Sequence, residues 1–440
     1  MRRGSVPQRK PRRRGSLPGE SFIPLLLAGW ALLLPPSIAA AGRLPSQEPT
    51  VYVSLSETAR RVEISCDGPF RIGRWGTHRR PTRVDPGRRW RFQSAGKRVR
   101  VIDHLGRERG AFRERLFIFP EDSRHSLALD GARYRGEILV EPLAGGTLRV
   151  VNALGLEGYL KGVLPAEVGR LGEEGFAALK AQAVAARSYT LYKMRERRAG
   201  PFDLFPTEAD QVYLGLDGED PRANEAVDAT WGIVALYAGQ AIRANYCSTC
   251  GGRTADAGAV WPAEEESFPY LRARRDRRGG QDFCRWSRWY RWEESWACDE
   301  LYAIVRRNLR RAVPGVKGGD PGRVTKLTVQ GRTPSGRVAE LEVETASGSY
   351  RLHGDQVRWV VRCSDGRALP SILLGELRRE SDGDRCRLIL EGAGFGHGVG
   401  LCQTGAIEMS RQGYTYLQIL GHYYHDITVR QIYDGRRGRR

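Results

Sequence analysis

Short runs in which hydrophobic and polar residues alternate dominate the chain up to about residue 140. They are rich in β-branched and aromatic side chains, and the turn formers Asp67-Gly68 and Asp130-Gly131 separate some of them. The clearest runs are Val51–Leu55, Val62–Ser65, Arg98–Ile102 and Leu116–Phe119. Alternation with a period of two is typical of strands that bury one face. The pattern predicts a β-rich N-terminal domain over residues 42–140.

The most regular helical pattern covers Glu173–Arg197. Apolar residues recur there at spacings of three and four, and alanine is frequent in the middle. Small side chains let a neighbouring element approach closely, so this helix is expected to be central. Lys180, Gln182 and Arg187 are polar positions in a helix that otherwise looks buried. Each of them therefore requires a partner or must reach solvent.

Strand patterns return further along the chain. They predict a β-rich insertion at about residues 318–390, inside a domain that spans 141–435. Two short helices are expected near the end of that domain, at Cys402–Gln412 and Tyr416–Tyr423. The predicted fold class is α+β, with a β-rich N-terminal domain followed by a mixed α/β domain that carries the insertion.

Composition narrows the class of protein. The chain has 440 residues, of which 40% are hydrophobic and 28% are charged, and these values are typical of a globular protein rather than a disordered one. A single long apolar stretch excludes a protein with several membrane-spanning helices. Lys and Arg (71) outnumber Asp and Glu (51), and the formal net charge of +20 favours anionic partners.

Residues 1–41 have the pattern of an export signal. Seven basic residues precede the apolar stretch Phe22–Leu34, and Ala39–Ala41 offer a cleavage site. Because the stretch is shorter than the roughly 20 residues of a membrane span, cleavage is the preferred interpretation and an uncleaved membrane anchor is the alternative. Cleavage leaves a net charge of about +14, and the chain ends in a basic tail at 436–440.

Glu167 is the first candidate for chemistry. It follows a predicted helix at Leu156–Val163, which Pro165 is expected to end, and it lies among apolar neighbours. A desolvated carboxyl group has a raised pKa, which suits a general acid. A Glu in such a turn is otherwise a neighbour of a helix cap or a surface charge, so the residue alone does not decide.

The glycine-rich segment Gly392–Gln403, which contains His397, is the second candidate. Glycines at alternate positions permit close approach of the backbone to a ligand, or of a strand to another layer. The segment lacks the Gly-Lys-Ser/Thr ending of a P-loop. Taken alone, His397 is typical of a structural histidine.

All eight cysteines follow the signal, and an even number in an exported chain favours disulfides. Cys247 and Cys250, with Cys284 and Cys298, form an alternative set for zinc, although their spacing matches no common finger. Four tryptophans crowd residues 286–296, either as core or as platforms for sugar rings. Export and the lack of a recognisable nucleic-acid module argue against a nucleic-acid partner.

Taken together, these segments resemble the sporulation stage II protein D family (SpoIID/LytB). The similarity lies in an ordered set of motifs between about Val51 and Val429. The motifs are Leu156–Val168, Ala178–Tyr189, Asp210–Tyr213, Cys247–Gly252, Pro269–Leu271, Gly394–Ala406 and His422–Tyr424. The sporulation members are lytic transglycosylases that cleave between N-acetylmuramic acid and N-acetylglucosamine and prefer glycan stripped of peptide.

The resemblance implies roles for particular residues. The catalytic glutamate of the family falls on Glu167, which would protonate the glycosidic oxygen and then accept a proton from the C6 hydroxyl of muramic acid. Lys180 and Arg187 are expected to pair with the lactyl carboxylates of the glycan. The other residues expected to contact the sugar are Gln182, Tyr189, Gln211, Ser248, His397 and Gln403.

The resemblance also bears on the cysteines and on metal binding. We expect the disulfides Cys250–Cys284 and Cys363–Cys386, and we leave Cys66, Cys247, Cys298 and Cys402 unassigned. Sporulation members carry a Cys/His cluster just before the Gln-Val-Tyr motif that could hold zinc. Here Phe202–Tyr213 contains neither Cys nor His. No metal and no cofactor are therefore expected.

The predicted function is an exported peptidoglycan lytic transglycosylase of the periplasm or cell wall, whose partner is the glycan strand. The alternative, from the LytB side of the family, is a non-catalytic protein that binds peptidoglycan and enhances an N-acetylmuramoyl-L-alanine amidase. A zinc hydrolase is the third hypothesis. Contact with a membrane is expected only if the signal is not cleaved.

Overall fold

The computed structural model describes residues 44–434, apart from 78–79, 263–267, 314–319 and 383–384. The predicted signal at 1–41 and the basic tail at 436–440 lie outside the described residues. Within them, helices and strands are combined in several sheets, which confirms the predicted α+β class. No helix in the described part of the chain is long and apolar enough to cross a membrane.

Twelve strands precede the first helix of the described chain. They are β1 (Thr50–Ala59), β2 (Arg61–Cys66), β3 (Phe70–Arg74), β4 (Thr82–Val84), β5 (Trp90–Ser94), β6 (Val99–Ile102), β7 (Glu108–Phe112), β8 (Leu116–Pro120), β9 (Leu127–Leu129), β10 (Ala132–Tyr134), β11 (Glu137–Pro142) and β12 (Leu148–Gly155). They form two six-stranded sheets, in the orders β1-β12-β11-β8-β3-β4 and β10-β9-β2-β5-β6-β7.

The two sheets share one buried core. Phe70 and Ile118 come from the first sheet, and Ile64 and Phe92 come from the second. Alternate residues of strands such as β2 and β6 face this core, as the period of two in the sequence predicts. The N-terminal region is therefore a β-sandwich. It continues beyond residue 140 to Gly155, because β12 pairs with both β1 and β11.

The first helix, α1 (Leu156–Val168), follows β12 without a loop. The prediction that this helix ends before Pro165 was wrong, since the helix continues through the proline for one more turn. A proline so close to the C-terminus removes only a last-turn hydrogen bond. The helix ends at Gly169, whose φ of 79° favours glycine.

The remaining elements complete the second half of the fold. They are α2 (Phe176–Glu196), α3 (Pro221–Ala229), β13 (Ile233–Tyr237), β14 (Gln240–Ala241), β15 (Tyr246–Cys247), α4 (Ala257–Val260), β16 (Arg277–Arg278), β17 (Gln281–Asp282), β18 (Trp292–Ala297), α5 (Cys298–Ala312), β19 (Val324–Arg332), β20 (Val338–Thr345), β21 (Gly348–His353), α6 (Gln356–Val360), β22 (Leu374–Asp382), β23 (Arg385–Gly392), β24 (Leu401–Cys402), α7 (Gln403–Arg411), α8 (Tyr416–Tyr423) and β25 (Thr428–Gln431). Short 3₁₀ turns lie at Glu173–Gly175, Gly215–Gly218 and Phe283–Trp286.

Helix α2 is central, as its alanine content predicts. Leu179 and Ala183 pack into a core shared with α1 and α3, whereas Ala181 and Val184 pack into a second core shared with α7 and α8. The small side chains allow α2 to approach elements on both sides. The three-and-four periodicity thus identified the helix, but both of its faces are buried.

A separate core holds the region around the predicted insertion. Strands β18 to β23 and helices α5 and α6 enclose Trp296, Leu301, Val343 and Leu388. The strands form two three-stranded sheets, in the orders β18-β23-β22 and β19-β20-β21. The predicted insertion at about 318–390 lies within this unit, and β18 and α5 add to it from the N-terminal side.

The glycine-rich segment before β24 packs tightly against its surroundings. Gly398 and Gly400 have φ angles of 80° and 72°, which side-chain-bearing residues rarely adopt. A Cβ atom at Gly398 would overlap the Arg337 guanidinium, and one at Gly400 would overlap the Asn245 carbonyl oxygen. At these two positions, close packing against the protein explains the glycine.

Candidate active site

Glu167 lies in the last turn of α1 and is half-buried. Its Oε1 accepts a hydrogen bond from the backbone N–H of Val212 at 2.6 Å. The Tyr246 side chain, at the start of β15, also acts on the carboxyl group and lowers its pKa. Glu167 is therefore influenced by groups from two distant segments of the chain, of which the Val212 backbone forms a hydrogen bond to it.

The environment changes the acidity of this carboxyl group. The pKa of Glu167 is raised to about 7, chiefly because burial disfavours the charged form. The exposed carboxylate of Glu208 also raises the pKa, whereas the hydrogen bond from the Val212 N–H and the nearby Tyr246 hydroxyl lower it. A carboxyl group with this pKa can both donate and accept a proton near neutral pH.

Gln211 fixes the position of Tyr246. Its Nε2 donates to the Tyr246 hydroxyl at 3.1 Å and to the Ala186 carbonyl oxygen at 3.4 Å. Its Oε1 accepts from the Thr190 hydroxyl at 2.9 Å and from the Tyr159 hydroxyl at 3.2 Å. The Gln211 side chain is fully buried, and its amide group is used within the protein. A positioning role through Tyr246 therefore replaces the expected contact with sugar.

Two other glutamines have unused hydrogen-bonding groups. Gln182 on α2 is 1% exposed, and neither its Oε1 nor its Nε2 has a partner among the described residues. Gln403, the first residue of α7, is 6% exposed, and its Nε2 is likewise unpaired in the described part. Helix α2 packs against both α1 and α7. Buried amide groups are normally satisfied, so these two are suited to a polar ligand.

Three other residues were expected to contact the sugar, namely Lys180 and Tyr189 on α2 and Ser248 directly after β15. The Lys180 ammonium lies 4.6 Å from the ring centroid of Phe176 and 5.7 Å from that of Tyr416. Tyr189 is buried on α2, and its burial raises the pKa of its hydroxyl. The Ser248 carbonyl oxygen accepts hydrogen bonds from the N–H and hydroxyl of Thr404, which ties β15 to α7.

Comparisons with known proteins bear on the same residues. The family model for SpoIID, the stage II sporulation protein, matches residues 144–237. The chain is 27% identical over 342 residues to the amidase enhancer of Bacillus subtilis, which covers 71% of this chain and 46% of that protein. It is 26% identical over 294 residues to stage II sporulation protein D of the same bacterium, covering 62% and 74%. These matches support the assignment of the chain to the SpoIID/LytB family.

Two further matches extend the comparison. The chain is 29% identical over 324 residues to an uncharacterized protein of Brachyspira hyodysenteriae, covering 73% of this chain and 78% of that one. A second family model, for a domain of unknown function (DUF8618), matches residues 277–400. The SpoIID match contains Glu167 and Gln211, whereas Tyr246 and Gln403 lie outside both matched regions.

Arg187 takes part in an internal ion-pair network. Its fully buried guanidinium forms a bidentate ion pair with Glu157, at 2.8 Å to Oε1 and 2.5 Å to Oε2. It also donates to the Ile233 carbonyl oxygen at 2.9 Å. The Tyr433 hydroxyl and the Gly232 N–H complete the coordination of the same carboxylate. The expectation that Arg187 pairs with the glycan is corrected, because its donors are used in this internal network.

His397 also has a structural environment. Its Nδ1 accepts a hydrogen bond from the Val399 N–H at 3.0 Å, and its ring lies 5.0 Å from that of Trp261. Burial lowers the pKa of His397 to about 4, so the imidazole is neutral at pH 7. His397 shapes the glycine-rich segment, and its expected contact with sugar is not supported by these interactions.

The predicted disulfides differ from the observed one. Cys298 and Cys386 form a disulfide, with their Cα atoms 5.5 Å apart. The pairing of β18 with β23 places Ala297 opposite Arg387, so the next residues in the register are these two cysteines. Cys363 is free, and the predicted Cys363–Cys386 bond was wrong. Cys250 and Cys284 are also unbonded, although their sulfur atoms lie 3.7 Å apart.

The predicted tryptophan segment is divided between core and surface. Trp296 is 1% exposed and donates to the Arg362 carbonyl oxygen, whereas Trp286 is 45% exposed and lies beside Arg411. Sequence reasoning missed Tyr246 altogether. The available signal was its position directly before the Cys-Ser-Thr-Cys motif. A residue next to such a motif is expected to lie close to the same site.

Proposed function

We propose that this protein is an exported lytic transglycosylase that cleaves peptide-stripped peptidoglycan between N-acetylmuramic acid and N-acetylglucosamine. Glu167 is the single general acid and base. The observation that carries the proposal is the half-buried Glu167 carboxyl group, whose pKa of about 7 makes the protonated form available at neutral pH. Membership of the SpoIID/LytB family supports a function related to the cell wall.

One carboxyl group is sufficient for this reaction. Protonated Glu167 donates its proton to the glycosidic oxygen as the bond to C1 of muramic acid breaks. The C6 hydroxyl of the same sugar then bonds to C1, and its proton returns to the Glu167 carboxylate. The C6 hydroxyl takes the place of water, so the second carboxylate of an ordinary glycosidase is not required. The product has a 1,6-anhydro end, and the enzyme is regenerated.

Helices α2 and α7 supply groups that suit the glycan. The Gln182 amide group and Gln403 Nε2, which have no partner among the described residues, are suited to sugar hydroxyl or acetamido groups. The Lys180 ammonium and the positive charge of the chain suit the lactyl carboxylates of stripped glycan. Tyr246 and Gln211 orient the carboxyl group without contacting the sugar.

A product assay separates this function from the alternative. The mature protein is incubated with peptide-stripped glycan strands, and the fragments are analysed by mass spectrometry. Fragments with 1,6-anhydro ends are expected without any added enzyme. Intact strands, or fragments with ordinary reducing ends, would contradict the proposal.

The amidase enhancer among the relatives favours one second function, in which the protein binds peptidoglycan and stimulates an N-acetylmuramoyl-L-alanine amidase. The same preparation is therefore tested with intact peptidoglycan and such an amidase, and the released peptide is measured. Faster peptide release without anhydro ends would select this second function.

The pH dependence of cleavage follows from the acidity of Glu167. The protonated carboxyl group is required in the first step, and its population falls as the pH rises through about 7. We expect kcat/KM to fall about tenfold for each pH unit above that value. A pH–rate profile on stripped glycan measures this limb. A rate that stays level well above pH 7 would exclude Glu167 as the acid.

Replacing Tyr246 with Phe is expected to move this alkaline limb to higher pH. The substitution removes the hydroxyl group that lowers the pKa of Glu167, and we expect a shift of up to about one pH unit. Tyr189→Phe is the matched control, because Tyr189 is also a buried tyrosine but is not among the groups that shift the pKa of Glu167. An unchanged limb in Tyr246→Phe would contradict the positioning role.

A further inference from the structure

We propose that Cys250, Asp276, Cys284 and Cys402 (the Cys₃Asp cluster) bind a structural zinc ion. Nothing in the proposed glycan chemistry requires this site, and the two proposals can fail independently. The four residues come from four segments of the chain: the loop after β15, the stretch before β16, the 3₁₀ turn Phe283–Trp286 and the end of β24. No sequence motif joins them.

The geometry of the Cys₃Asp cluster is that of a metal site. One ligand atom from each residue lies within 4.8 Å of all the others. The sulfur atoms of Cys250 and Cys284 are 3.7 Å apart, and Cys250 Sγ lies 3.1 Å from Asp276 Oδ2. Zinc–sulfur bonds of about 2.3 Å in a tetrahedron place two sulfur atoms about 3.8 Å apart. The observed separation therefore leaves room for a zinc ion between them.

Burial supports the same conclusion. All four residues are fully buried, with no more than 1% of any side chain exposed. Three polarizable sulfur atoms and one carboxylate that converge in a dry interior form the type of ligand set that selects zinc over magnesium or calcium.

A second shell orients the ligands. The outer oxygen of Asp276, Oδ1, accepts a hydrogen bond from the Tyr423 hydroxyl at 2.9 Å and lies 3.1 Å from His422 Nε2. The sulfur of Cys402 accepts from the N–H of Cys250 at 3.2 Å and from that of Gly405 at 3.4 Å. Such outer contacts fix ligating carboxylates and thiolates in known metal sites.

Charge balance provides an independent argument. Three thiolates and one carboxylate around Zn²⁺ carry a net charge of about −2. The fully buried Arg337 donates to the Cys250 carbonyl oxygen at 2.9 Å, and its Nε has no partner among the described residues. Among the described residues, no carboxylate forms an ion pair with Arg337. A buried guanidinium without an acidic partner is costly, and a negatively charged metal centre beside it would offset that cost.

A disulfide fits the cluster less well. Three thiols can form only one disulfide, which would leave the third sulfur beside the buried Asp276 carboxylate. Cys298 and Cys386 are joined by a disulfide, whereas the three cysteines of the cluster are not bonded to one another. Binding of zinc would release the thiol protons and join all four segments at once.

The site would stabilise the elements that position Tyr246. Strand β15 pairs with β24 in a register that places Tyr246 opposite Leu401 and Cys247 opposite Cys402. Cys402 also precedes Gln403 at the start of α7. The metal would thus fix both the strand that carries Tyr246 and the helix that carries Gln403.

Metal analysis of the full mature chain tests the proposal. The protein is purified without added metal, and zinc is measured by inductively coupled plasma mass spectrometry. About one zinc per chain is expected, with at least about a fivefold loss in Cys284→Ser and in Asp276→Asn. Cys247→Ser is the matched control, because Cys247 is equally buried in the same Cys-Ser-Thr-Cys motif but lies outside the cluster. It is expected to retain zinc.

Cobalt(II) exchange of the wild type gives a readout that does not depend on the folding of any variant. Thiolate charge-transfer bands together with intense d–d bands typical of tetrahedral coordination are expected. Absence of zinc together with a Cys250–Cys284 disulfide in non-reducing peptide maps would overturn the proposal. So would full retention of zinc in both ligand variants. These readouts are independent of glycan cleavage, so their failure is distinct from failure of the proposed function.

Discussion

Glu167→Gln is expected to lower the rate of glycan cleavage by about 10²- to 10⁴-fold, the usual contribution of a general acid and base. The amide has nearly the same shape as the carboxylic acid and can still accept from the Val212 N–H, so the end of α1 is expected to keep its structure. The rate of formation of anhydro-ended fragments from stripped glycan measures the loss. Circular dichroism and thermal unfolding establish that the variant is folded.

Glu208→Gln is the matched control for this experiment. Glu208 is exposed, and its carboxylate raises the pKa of Glu167 without a hydrogen bond to it. Its removal is expected to leave the maximal rate nearly unchanged and to move the alkaline limb to slightly lower pH. If Glu167→Gln forms product at the wild-type rate, or if Glu208→Gln is the inactive variant, the assignment of the acid is wrong.

Arg187→Leu is expected to lower the free energy of unfolding by about 3–5 kcal/mol. The substitution leaves the carboxylate of Glu157, which is 1% exposed, without its bidentate cation. The Tyr433 hydroxyl and the Gly232 N–H still donate to that carboxylate, but neither compensates its charge. Urea unfolding followed by circular dichroism measures the effect.

An exposed ion pair of the same chemistry supplies the control. Arg133 and Asp217 are joined at 2.7 Å with 56% and 42% of their side chains exposed, so Arg133→Leu is expected to cost less than about 1 kcal/mol. Combining Glu157→Leu with Arg187→Leu is expected to recover part of the loss, because no charge then stays buried alone. Equal losses in Arg187→Leu and Arg133→Leu would show that the buried network contributes little.

Local patterns in the sequence predicted which helices and strands form more successfully than they predicted where each element begins and ends. The alternation of the first strands and the alanine-rich repeat of α2 reflect burial that each element imposes on its own residues. The end of α1 was misplaced because a proline usually stops a helix, whereas in the last turn it costs little. The continuation of the β-sandwich to Gly155 depends on pairing between β1 and β12, which are distant in sequence.

The residues of the candidate site were likewise predicted only in part. The motif around Glu167 predicted the residue that we propose as the acid, and its apolar neighbours predicted the raised pKa. Arg187 was assigned to the glycan because the sequence does not show that Glu157, 30 positions away, faces it in the core. Asp276 was missed because it has no motif, and it reaches the cysteines only through the tertiary fold. Long-range contacts of this kind leave no periodic trace in a single sequence.

No hinge separates the β-sandwich from the helix that carries Glu167. The last residue of β12, Gly155, is followed directly by Leu156 of α1. Val51 and Val53 of the first strand pack in the same core as Leu164 of that helix. The sandwich is therefore not an exchangeable module, because it shares both its last strand and part of a hydrophobic core with the helix that carries the carboxyl group.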